Sequence, residues 1–523
     1  MSNRAKILRL FFISFFYIAF TVSVFGETEK AASINADSIQ WDAGLNANIG
    51  NGSFAPYYIA ALTHGTVIQS KGLLLHAAIG HDLNFDKRFS WGAKAELYGG
   101  ATSNTEYLKW TEGTTYLHNI RPSAVWLQQL YGELKYRSLF LEIGMKQHAS
   151  ALLDNSLTSG DLVESGNARP IPEVRVGFID FQNIPFTKGW VQIQGELAYG
   201  KFMDNGWMED FYSYGTDHIN TGAYYLYRRL YLRTKPSERF SVTVGMQAAG
   251  QIGGWTQYWR GGYLVKQEDN SVSFLKLLTS IIPGNEGSAE GAYYGGNNLG
   301  SWDIFARYNL PDNKGTLHAY LQKPWEKASS IGFMNGWDGL WGIEYVLNGR
   351  CGFLEAVLFE YLYFLNQSGP IHYALHDSPG TTIQYESQGR DNYYNNYEYN
   401  SYANYGIGIG TPFLKAPRYN TDGYPQYTHN LVKGFHIAAK GKISTAWKWK
   451  AALSYREAFG TGWVPSPTKY TDFSWLIETE GHLRSIPRLQ FKAQIAGDHG
   501  NYLGNNFGIL IGATYRGAFS IGK

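Results

Sequence analysis

Hydrophobic and polar residues alternate along many segments of the chain, a pattern that predicts β-strands with two different faces. Clear examples are Leu139–Lys146, Trp190–Leu197, Phe240–Met246 and Phe491–Ile495. In these segments one face is mainly aliphatic or aromatic, and the other carries Gln, Lys, Glu, Ser, Thr or Gly. Strands of a β-sandwich also alternate, but a polar second face is typical of a transmembrane β-barrel, whose inner wall meets a watery lumen.

The connections between these segments are of two lengths. Short turns rich in charged residues, proline or glycine lie at Asn84–Arg88, Lys235–Arg239, Pro311–Gly315, Asn348–Gly352 and Ser485–Arg488. Long polar connections lie at Thr102–Pro122, Ala149–Pro172, Phe202–Thr221, Gln251–Gly300, Gln367–Asn430 and Thr461–Asp472. Outer-membrane barrels place short turns in the periplasm and long loops outside. The sequence therefore predicts an all-β, antiparallel transmembrane barrel of roughly 14 to 20 strands, at ~10 residues per strand.

The composition favours a membrane barrel over a soluble β-sandwich or propeller, which is the alternative. Aromatic residues make up 16% of the chain, with 39 tyrosines and 16 tryptophans, whereas charged residues make up 17%. Soluble domains carry about 25% charged residues, and aromatic girdles at both membrane interfaces account for an excess of Tyr and Trp. The net charge of +2 argues against nucleic acid as a partner.

The N-terminal segment predicts export from the cytoplasm. A basic start precedes the apolar run Leu10–Phe25, and the small residue Gly26 follows it, as in secretory signal peptides. The alternative is an uncleaved membrane anchor, but the run is shorter than the ~20 residues that a membrane-spanning helix needs. We predict a signal peptide at residues 1–26 and a single barrel domain at residues 27–523, located in the outer membrane. Its one cysteine, Cys351, allows no internal disulfide.

Few residues in the chain point to catalysis. The 13 histidines show no metal-ligand spacing, and neither an HExxH nor a CxxC motif occurs. Ser159 and Ser165 lie outside a GxSxG frame, and the carboxylates of Glu209 and Asp210 are typical of a solvated loop. We therefore expect no enzyme activity, no cofactor and no metal site.

Several motifs, which follow one another in order over most of the chain, resemble the Wzi-type capsule assembly family of Gram-negative outer membranes. They are EVRVG at Glu173–Gly177, RLYLRTKPSERFSVTVG at Arg229–Gly245 with QIGG at Gln251–Gly254, GSWD at Gly300–Asp303 with GFMNGWDGLWGIE at Gly332–Glu344, NQSGP at Asn366–Pro370, and GRDNYYNN at Gly389–Asn396 with GIGTPF at Gly408–Phe413.

The resemblance implies an outer-membrane barrel of about 18 strands that acts as a lectin. It implies that the protein helps capsular or exopolysaccharide attach to the cell surface and assemble there. The expected partners are this surface polysaccharide and outer-membrane lipid, and we expect a monomer. A porin or saccharide channel is the alternative, because the sequence does not reveal whether loops close the lumen.

The segment Gly389–Phe413 is polar, aromatic and almost uncharged, which suits contact with a sugar polymer. Tyr and Trp rings can cover the apolar faces of sugar rings, while Asn, Asp and Arg can hydrogen-bond the hydroxyls. An arginine in this segment can also bind a carboxylate or pyruvyl group. The candidate polysaccharide-binding residues are Trp337, Asp338, Arg390, Asp391, Tyr393, Tyr394, Asn395 and Asn396.

These residues also have structural interpretations. The tyrosines can be girdle aromatics and the asparagines turn formers, and Arg390 with Asp391 can be an ion pair that braces a loop. Trp337 can be exposed to sugar or folded onto the barrel mouth. For Glu173 and Arg175 we predict a paired charge that lines the lumen.

Overall fold

The computed structural model describes residues 38–111, 113–204, 206–212, 218–235, 237–273, 296–326, 328–348, 352–369, 372–373, 387–388 and 391–520. The predicted signal peptide at residues 1–26 lies outside these ranges. The described chain forms a closed, antiparallel 18-strand β-barrel, which confirms the predicted fold class and the strand number that the resemblance implied.

The barrel strands are, in chain order, β1 Ser38–Gly50, β2 Gly72–His81, β3 Phe89–Thr102, β4 Val125–Tyr136, β5 Leu139–Met145, β6 Pro172–Phe178 continued by Gln182–Asn183, β7 Val191–Lys201, β8 Tyr224–Thr234, β9 Phe240–Ile252, β10 Asn297–Asn309, β11 Thr316–Trp325, β12 Gly339–Val346, β13 Ala356–Tyr363, β14 Val432–Lys442, β15 Trp447–Gly460, β16 Pro465–Leu483, β17 Ile486–Gly500 and β18 Asn506–Ser520. Each strand pairs with its neighbours in sequence. The ladder between β1 and β18 runs from Ser38 opposite Ser520 to Gly50 opposite Gly508 and closes the barrel.

The other elements lie in the connections between the barrel strands. The helices are α1 Tyr57–Ala60, α2 Trp207–Phe211 and α3 Ala328–Ile331, with 3-10 turns at Pro311–Asn313 and Pro417–Tyr419. The small sheets are Thr105–Thr111 with Thr114–Ile120, His218–Thr221 with Trp255–Arg260 and Tyr263–Asp269, His372–Tyr373 with Ser387–Gln388, Asn395–Asn396 with Asn400–Ser401, and Ala403–Asn404 with Ile407–Gly408. Within the described ranges, no helix is long and apolar enough to cross a membrane.

The two ends of the barrel differ in the length of their connections. The turns that follow β2, β4, β6, β8, β10, β12, β14 and β16 are short and lie at one end, which we call the short-turn end. The connections after the odd-numbered strands lie at the other end, which we call the long-loop end. This arrangement confirms the predicted alternation of short and long connections.

The prediction of a long connection at Thr461–Asp472 is wrong. The connection spans only residues 461–464, and β16 begins at Pro465. The pairing of β16 with β15 continues past a bulge near Ala458, as far as Gly460 opposite Pro465. Its exposed Ser, Thr and Lys side chains resemble a loop in sequence because this protruding hairpin faces water on both sides. The sequence interpretation also missed the long connection at residues 51–71.

The two faces of the strands meet different surroundings, as the alternation predicted. Ile143, Ile343 and Ile511 are each more than half exposed on the outer face, where a membrane barrel meets lipid. Their neighbours in sequence, Glu142 and Glu344, point inward and are buried. The inner wall is therefore polar, and over much of its length other parts of the chain fill the lumen beside it.

Candidate functional site

Three connections at the long-loop end turn into the barrel and occupy its lumen. They are residues 51–71 between β1 and β2, residues 146–171 between β5 and β6, and residues 364–431 between β13 and β14, and we call their described residues the plug. Ile59, Leu162 and Tyr402 from the three connections belong to one hydrophobic cluster. The same cluster includes Leu358 of the inner wall. The main hydrophobic core of this protein thus lies inside the barrel.

The side chain of Asp161 fixes the plug to two nearby strands of the inner wall, β9 and β11, which flank β10. Its Oδ1 accepts hydrogen bonds from Gln247 Nε2 of β9 and from Val163 N, both at 2.8 Å. Its Oδ2 accepts from Gln322 Nε2 of β11 at 2.8 Å and from Ser150 Oγ at 2.6 Å. One buried carboxylate therefore ties two barrel strands to the middle connection of the plug.

Hydrogen bonds also join the connections of the plug to each other. Asn167 Nδ2 donates to Gly408 O at 3.0 Å, and Tyr402 OH donates to Val163 O at 2.9 Å. In the connection at residues 51–71, Leu62 N donates to Asn167 Oδ1 of the connection at residues 146–171 at 3.0 Å. The plug is consequently one bonded body rather than three separate loops.

Asp338, one of the predicted binding residues, is fully buried at the start of β12. Its carboxylate accepts hydrogen bonds from Asn366 N at 2.9 Å, Gln367 N at 2.7 Å and Tyr393 OH at 2.9 Å. Burial raises the pKa of Asp338 to about 6, although these hydrogen bonds favour its charged form. The side chain therefore braces the base of the third plug connection.

Asp391 and Tyr393 are buried beside Asp338. The Asp391 carboxylate accepts hydrogen bonds from Ser330 Oγ at 3.1 Å and from Ser368 Oγ. The Tyr393 hydroxyl, besides donating to Asp338, accepts from Asn335 Nδ2 at 2.9 Å. Arg390, the predicted partner of Asp391, lies outside the described residues, as does Gly389.

Tyr394, Asn395 and Asn396 lie further along the same connection. Tyr394 is buried and donates its hydroxyl proton to Leu162 O at 2.6 Å. Asn395 is buried and bonds the backbone of Tyr427 in both directions, at 2.8 and 2.9 Å. Asn396 is partly exposed, and its amide donates to Asn297 Oδ1 at 3.1 Å. In this segment the tyrosines and asparagines hold the plug together.

Trp337 is 73% exposed at the rim of the long-loop end. Its ring lies 5.6 Å from that of Trp341, whose Nε1 donates to Trp337 O at 3.2 Å. Trp341 precedes the inward-facing Gly342 and the outward-facing Ile343 by one and two positions, which places its ring on the lipid-facing side. Phe333, also exposed, stacks on Trp302 at 6.1 Å. Trp337 is thus both exposed and packed onto the outer rim.

The surface of the plug contains features that the sequence interpretation did not single out. Tyr397 is 73% exposed, and its ring edge packs against His218 at 5.0 Å. A pocket of about 240 Å³, which we call the mouth pocket, lies between the connections at residues 51–71 and 364–431 and the β17–β18 turn. No spacing rule could have found it, because its walls come from both ends of the chain.

Charged side chains connect the plug to the inner wall of β5 to β8. Arg175 forms ion pairs with Glu173 at 2.7 Å, with Glu196 at 2.8 Å and with the plug residue Glu164 at 2.7 Å. The prediction that Glu173 and Arg175 form a paired charge in the lumen is confirmed. The pairs are buried, so each charge is compensated where water cannot screen it.

Glu142, His148 and Glu173 place three potential metal ligands within 4.8 Å of one another. His148 Nε2 lies 2.9 Å from Glu142 Oε1 and 3.1 Å from Glu173 Oε1. Burial and the charge of Arg175 lower the pKa of His148, but hydrogen bonds to the two carboxylates outweigh them and raise it to about 9. The imidazole is therefore protonated at neutral pH, and Lys146 also pairs with Glu142 at 3.0 Å. This arrangement fits an ion-pair network better than a metal site.

Comparisons with known proteins identify the fold. No protein-family model matches the chain, and no curated protein matches its sequence. Among solved structures, Wzi of Escherichia coli, an outer-membrane carbohydrate-binding β-barrel involved in group 1 capsule assembly, has a TM-score of 0.55 and 13% sequence identity, covering 92% of this chain and 85% of Wzi. OccAB2 of Acinetobacter baumannii has a TM-score of 0.46 and 9% identity, covering 92% of this chain and 98% of its own. OprD of Pseudomonas aeruginosa has a TM-score of 0.44 and 10% identity, covering 94% and 97%. At these identities the likeness concerns the fold, and the protein is an outer-membrane β-barrel.

Proposed function

We propose that this barrel holds capsular or exopolysaccharide at its long-loop end without catalysing a reaction, as a functional counterpart of Wzi-type proteins. The observation that carries the proposal is the plug, which the Asp161 carboxylate bonds to β9 and β11. A lumen that is filled by hydrogen-bonded polypeptide is better suited to supporting a binding surface than to letting solutes pass through. Wzi itself is a carbohydrate-binding barrel involved in capsule assembly, and its likeness in fold agrees with the proposal.

The proposed polymer contacts are the accessible groups of the long-loop end. They comprise the exposed ring of Tyr397, the amide of Asn396, and the residues that line the mouth pocket. Arg390 remains a proposed contact, whereas Trp337 packs on the outer rim and would reach only polymer that lies close to the membrane. A single ring–sugar contact contributes about 0.5–1.5 kcal/mol, by analogy with aromatic pairs. Retention would therefore depend on a long polymer that meets many copies of the protein.

A porin or saccharide channel is the second candidate function. The observation that favours it is a chamber of about 410 Å³ at the short-turn end, lined by charged residues that include Asp82, Glu133, Lys146 and Glu196. Charged groups around a water-filled space are typical of a channel interior. In this protein the plug lies between that chamber and the long-loop end.

A deletion strain tests the proposed function. Removal of the gene should shift surface polysaccharide from the cell-bound fraction to the medium, and expression of the wild-type chain should restore it. The total amount of polymer should stay the same, because synthesis and export do not depend on retention. Unchanged cell-bound polymer in the deletion strain would reject retention, and a large conductance of the purified protein in planar bilayers would then favour the porin.

A further inference from the structure

The mouth pocket has the position and size of a site for one sugar unit. Its lining includes Phe54 and Tyr57 from the first plug connection, Lys415 and Tyr419 from the third, and Asp498 at the end of β17. All of them lie at the long-loop end. Its volume of about 240 Å³ is far above the ~10–15 Å³ that one water molecule needs on the same measure. A space of this size is sufficient for a single pyranose ring.

One carboxylate oxygen of a residue that lines the pocket lacks a hydrogen-bond donor. Asp498 is 6% exposed, and its Oδ2 accepts from Tyr57 N at 3.0 Å and from Asn506 Nδ2 at 3.4 Å. Its Oδ1 has no hydrogen-bond partner among the described residues. Ser474 lies opposite on β16, but its hydroxyl donates to Asp472 Oδ2 at 3.0 Å. A buried acceptor without a donor costs about 1–3 kcal/mol, so a ligand hydroxyl would be stabilising here.

The ammonium group of Lys415 also lacks a partner in the described part of the chain. Its backbone N–H donates to Tyr502 OH at 2.8 Å, which fixes the residue at the pocket wall. The side chain is half-buried, and burial lowers its pKa although the charge of Asp422 acts in the opposite direction. A half-buried ammonium group that forms no ion pair within the described residues favours an anionic ligand beside it.

Aromatic rings form part of the pocket wall. The ring of Phe54 meets the ring of Tyr419 edge to face at 4.9 Å, and this contact holds both rings in place. Ordered rings offer apolar surface to the C–H face of a sugar without losing further side-chain freedom. The pocket therefore combines a ring surface, a hydroxyl acceptor and a cation.

We propose that the mouth pocket binds one carboxylate-bearing sugar unit of the surface polymer, a hexuronic acid or a sugar of equivalent charge. Lys415 meets the carboxylate, Asp498 accepts a ring hydroxyl, and Phe54 and Tyr419 cover the apolar face. This assignment rests on the proposed retention of polysaccharide, and it makes that retention selective for an acidic polymer.

Binding of two sugars that differ only at C6 tests the assignment. Purified full-length protein in detergent is titrated with sodium glucuronate and with glucose, and binding is followed by ligand-observed NMR. Glucuronate should bind at least tenfold more tightly than glucose. Lys415→Met, which keeps the apolar stem and removes the charge, should abolish this preference. Asp498→Asn should weaken the binding of both sugars. Heat-dependent gel mobility confirms that each variant still forms the barrel.

Lys266→Met is the matched control, because Lys266 is an exposed lysine of the 255–269 hairpin that does not line the pocket. It should bind both sugars as the wild type does. Equal binding of glucose and glucuronate, or an unchanged preference in Lys415→Met, would overturn the assignment. A parallel titration uses the strain's own polysaccharide. Polymer binding without a preference for glucuronate would reject the pocket assignment but not the proposed retention of polysaccharide. Selective glucuronate binding without polymer binding would contradict retention and still support a carboxylate pocket.

Discussion

The hydroxyl of Tyr393 donates a hydrogen bond to Asp338 Oδ2 at 2.9 Å, and both side chains are buried. This bond joins the connection between β11 and β12 to the third connection of the plug. Asp338 also accepts two backbone N–H groups of the plug, from Asn366 and Gln367. Residues with the chemistry of a sugar site are therefore used to hold the interior together.

We expect Asp338→Asn to loosen the third plug connection. An amide nitrogen in place of one carboxylate oxygen faces backbone N–H donors, which leaves buried groups unsatisfied at a cost of about 1–3 kcal/mol each. Limited proteolysis of the purified protein should cut residues 364–431 faster than in the wild type. Trp337→Ala is the neighbouring control and should leave the cleavage rate unchanged, since its ring packs on the outer rim. Equal cleavage of Asp338→Asn and wild type would show that the bond network does not hold the plug.

Asp161→Ala should open the lumen. Hydrogen bonds to a charged group contribute about 1.5–3 kcal/mol each, and the substitution removes those from Gln247 and Gln322 on the wall. The expected result is a higher single-channel conductance in planar bilayers with the barrel still assembled. Asp86→Ala, at an exposed aspartate in the β2–β3 turn, is the control and should conduct as the wild type does. A conductance of Asp161→Ala equal to that of the wild type would contradict the role of this carboxylate in closing the lumen.

Acid should remove the stability that the neutral forms of His64 and His429 contribute between about pH 6.5 and pH 4. Burial and the charge of His148 lower the pKa of His64 to about 4, and burial and the charge of Lys415 lower that of His429 to about 4. In the unfolded chain both groups titrate near ~6.5. At these two groups the unfolded chain therefore binds more protons in this window, so their contribution to the free energy of unfolding falls as the pH falls.

Thermal unfolding at pH 7, 5.5 and 4 measures this effect. Asp338 acts with the opposite sign because its folded pKa is raised, so a single-site variant is needed to isolate the histidine. His64 has a φ of 51°, and Asn tolerates this left-handed conformation better than most residues. His64→Asn should therefore lose less stability on acidification than the wild type. An identical pH dependence in both proteins would rule out His64 as a source of acid sensitivity.

The barrel could be predicted from the sequence because its rules are local. The outward Ile143 and the inward Glu142 differ by one position, and each strand repeats this alternation between turns of characteristic length. The short 461–464 connection was predicted as a longer loop. The hairpin that it closes is exposed to water on both faces, so its strands lack the apolar face that the alternation rule requires.

The plug could not be predicted, because its contacts link distant parts of the chain. Tyr394 bonds Leu162, which is 232 residues away, and Asn395 bonds the backbone of Tyr427. Asparagine and tyrosine are typical of exposed loops, yet they can be buried wherever each polar atom finds a partner. Composition indicated that the tyrosines and asparagines of this segment form a sugar-binding surface. In the folded chain most of them lie inside the lumen and hold the plug together, and Tyr397 is exposed.

Equilibrium binding of the strain's own purified surface polysaccharide to the full-length barrel tests the central proposal most directly. The protein is immobilised in detergent through its short-turn end, so that the long-loop end is free, and an unrelated outer-membrane barrel serves as the reference surface. We predict saturable binding that Tyr397→Ala and Lys415→Met each weaken. No binding above the reference surface, together with a large single-channel conductance of the wild-type protein, would contradict polysaccharide retention.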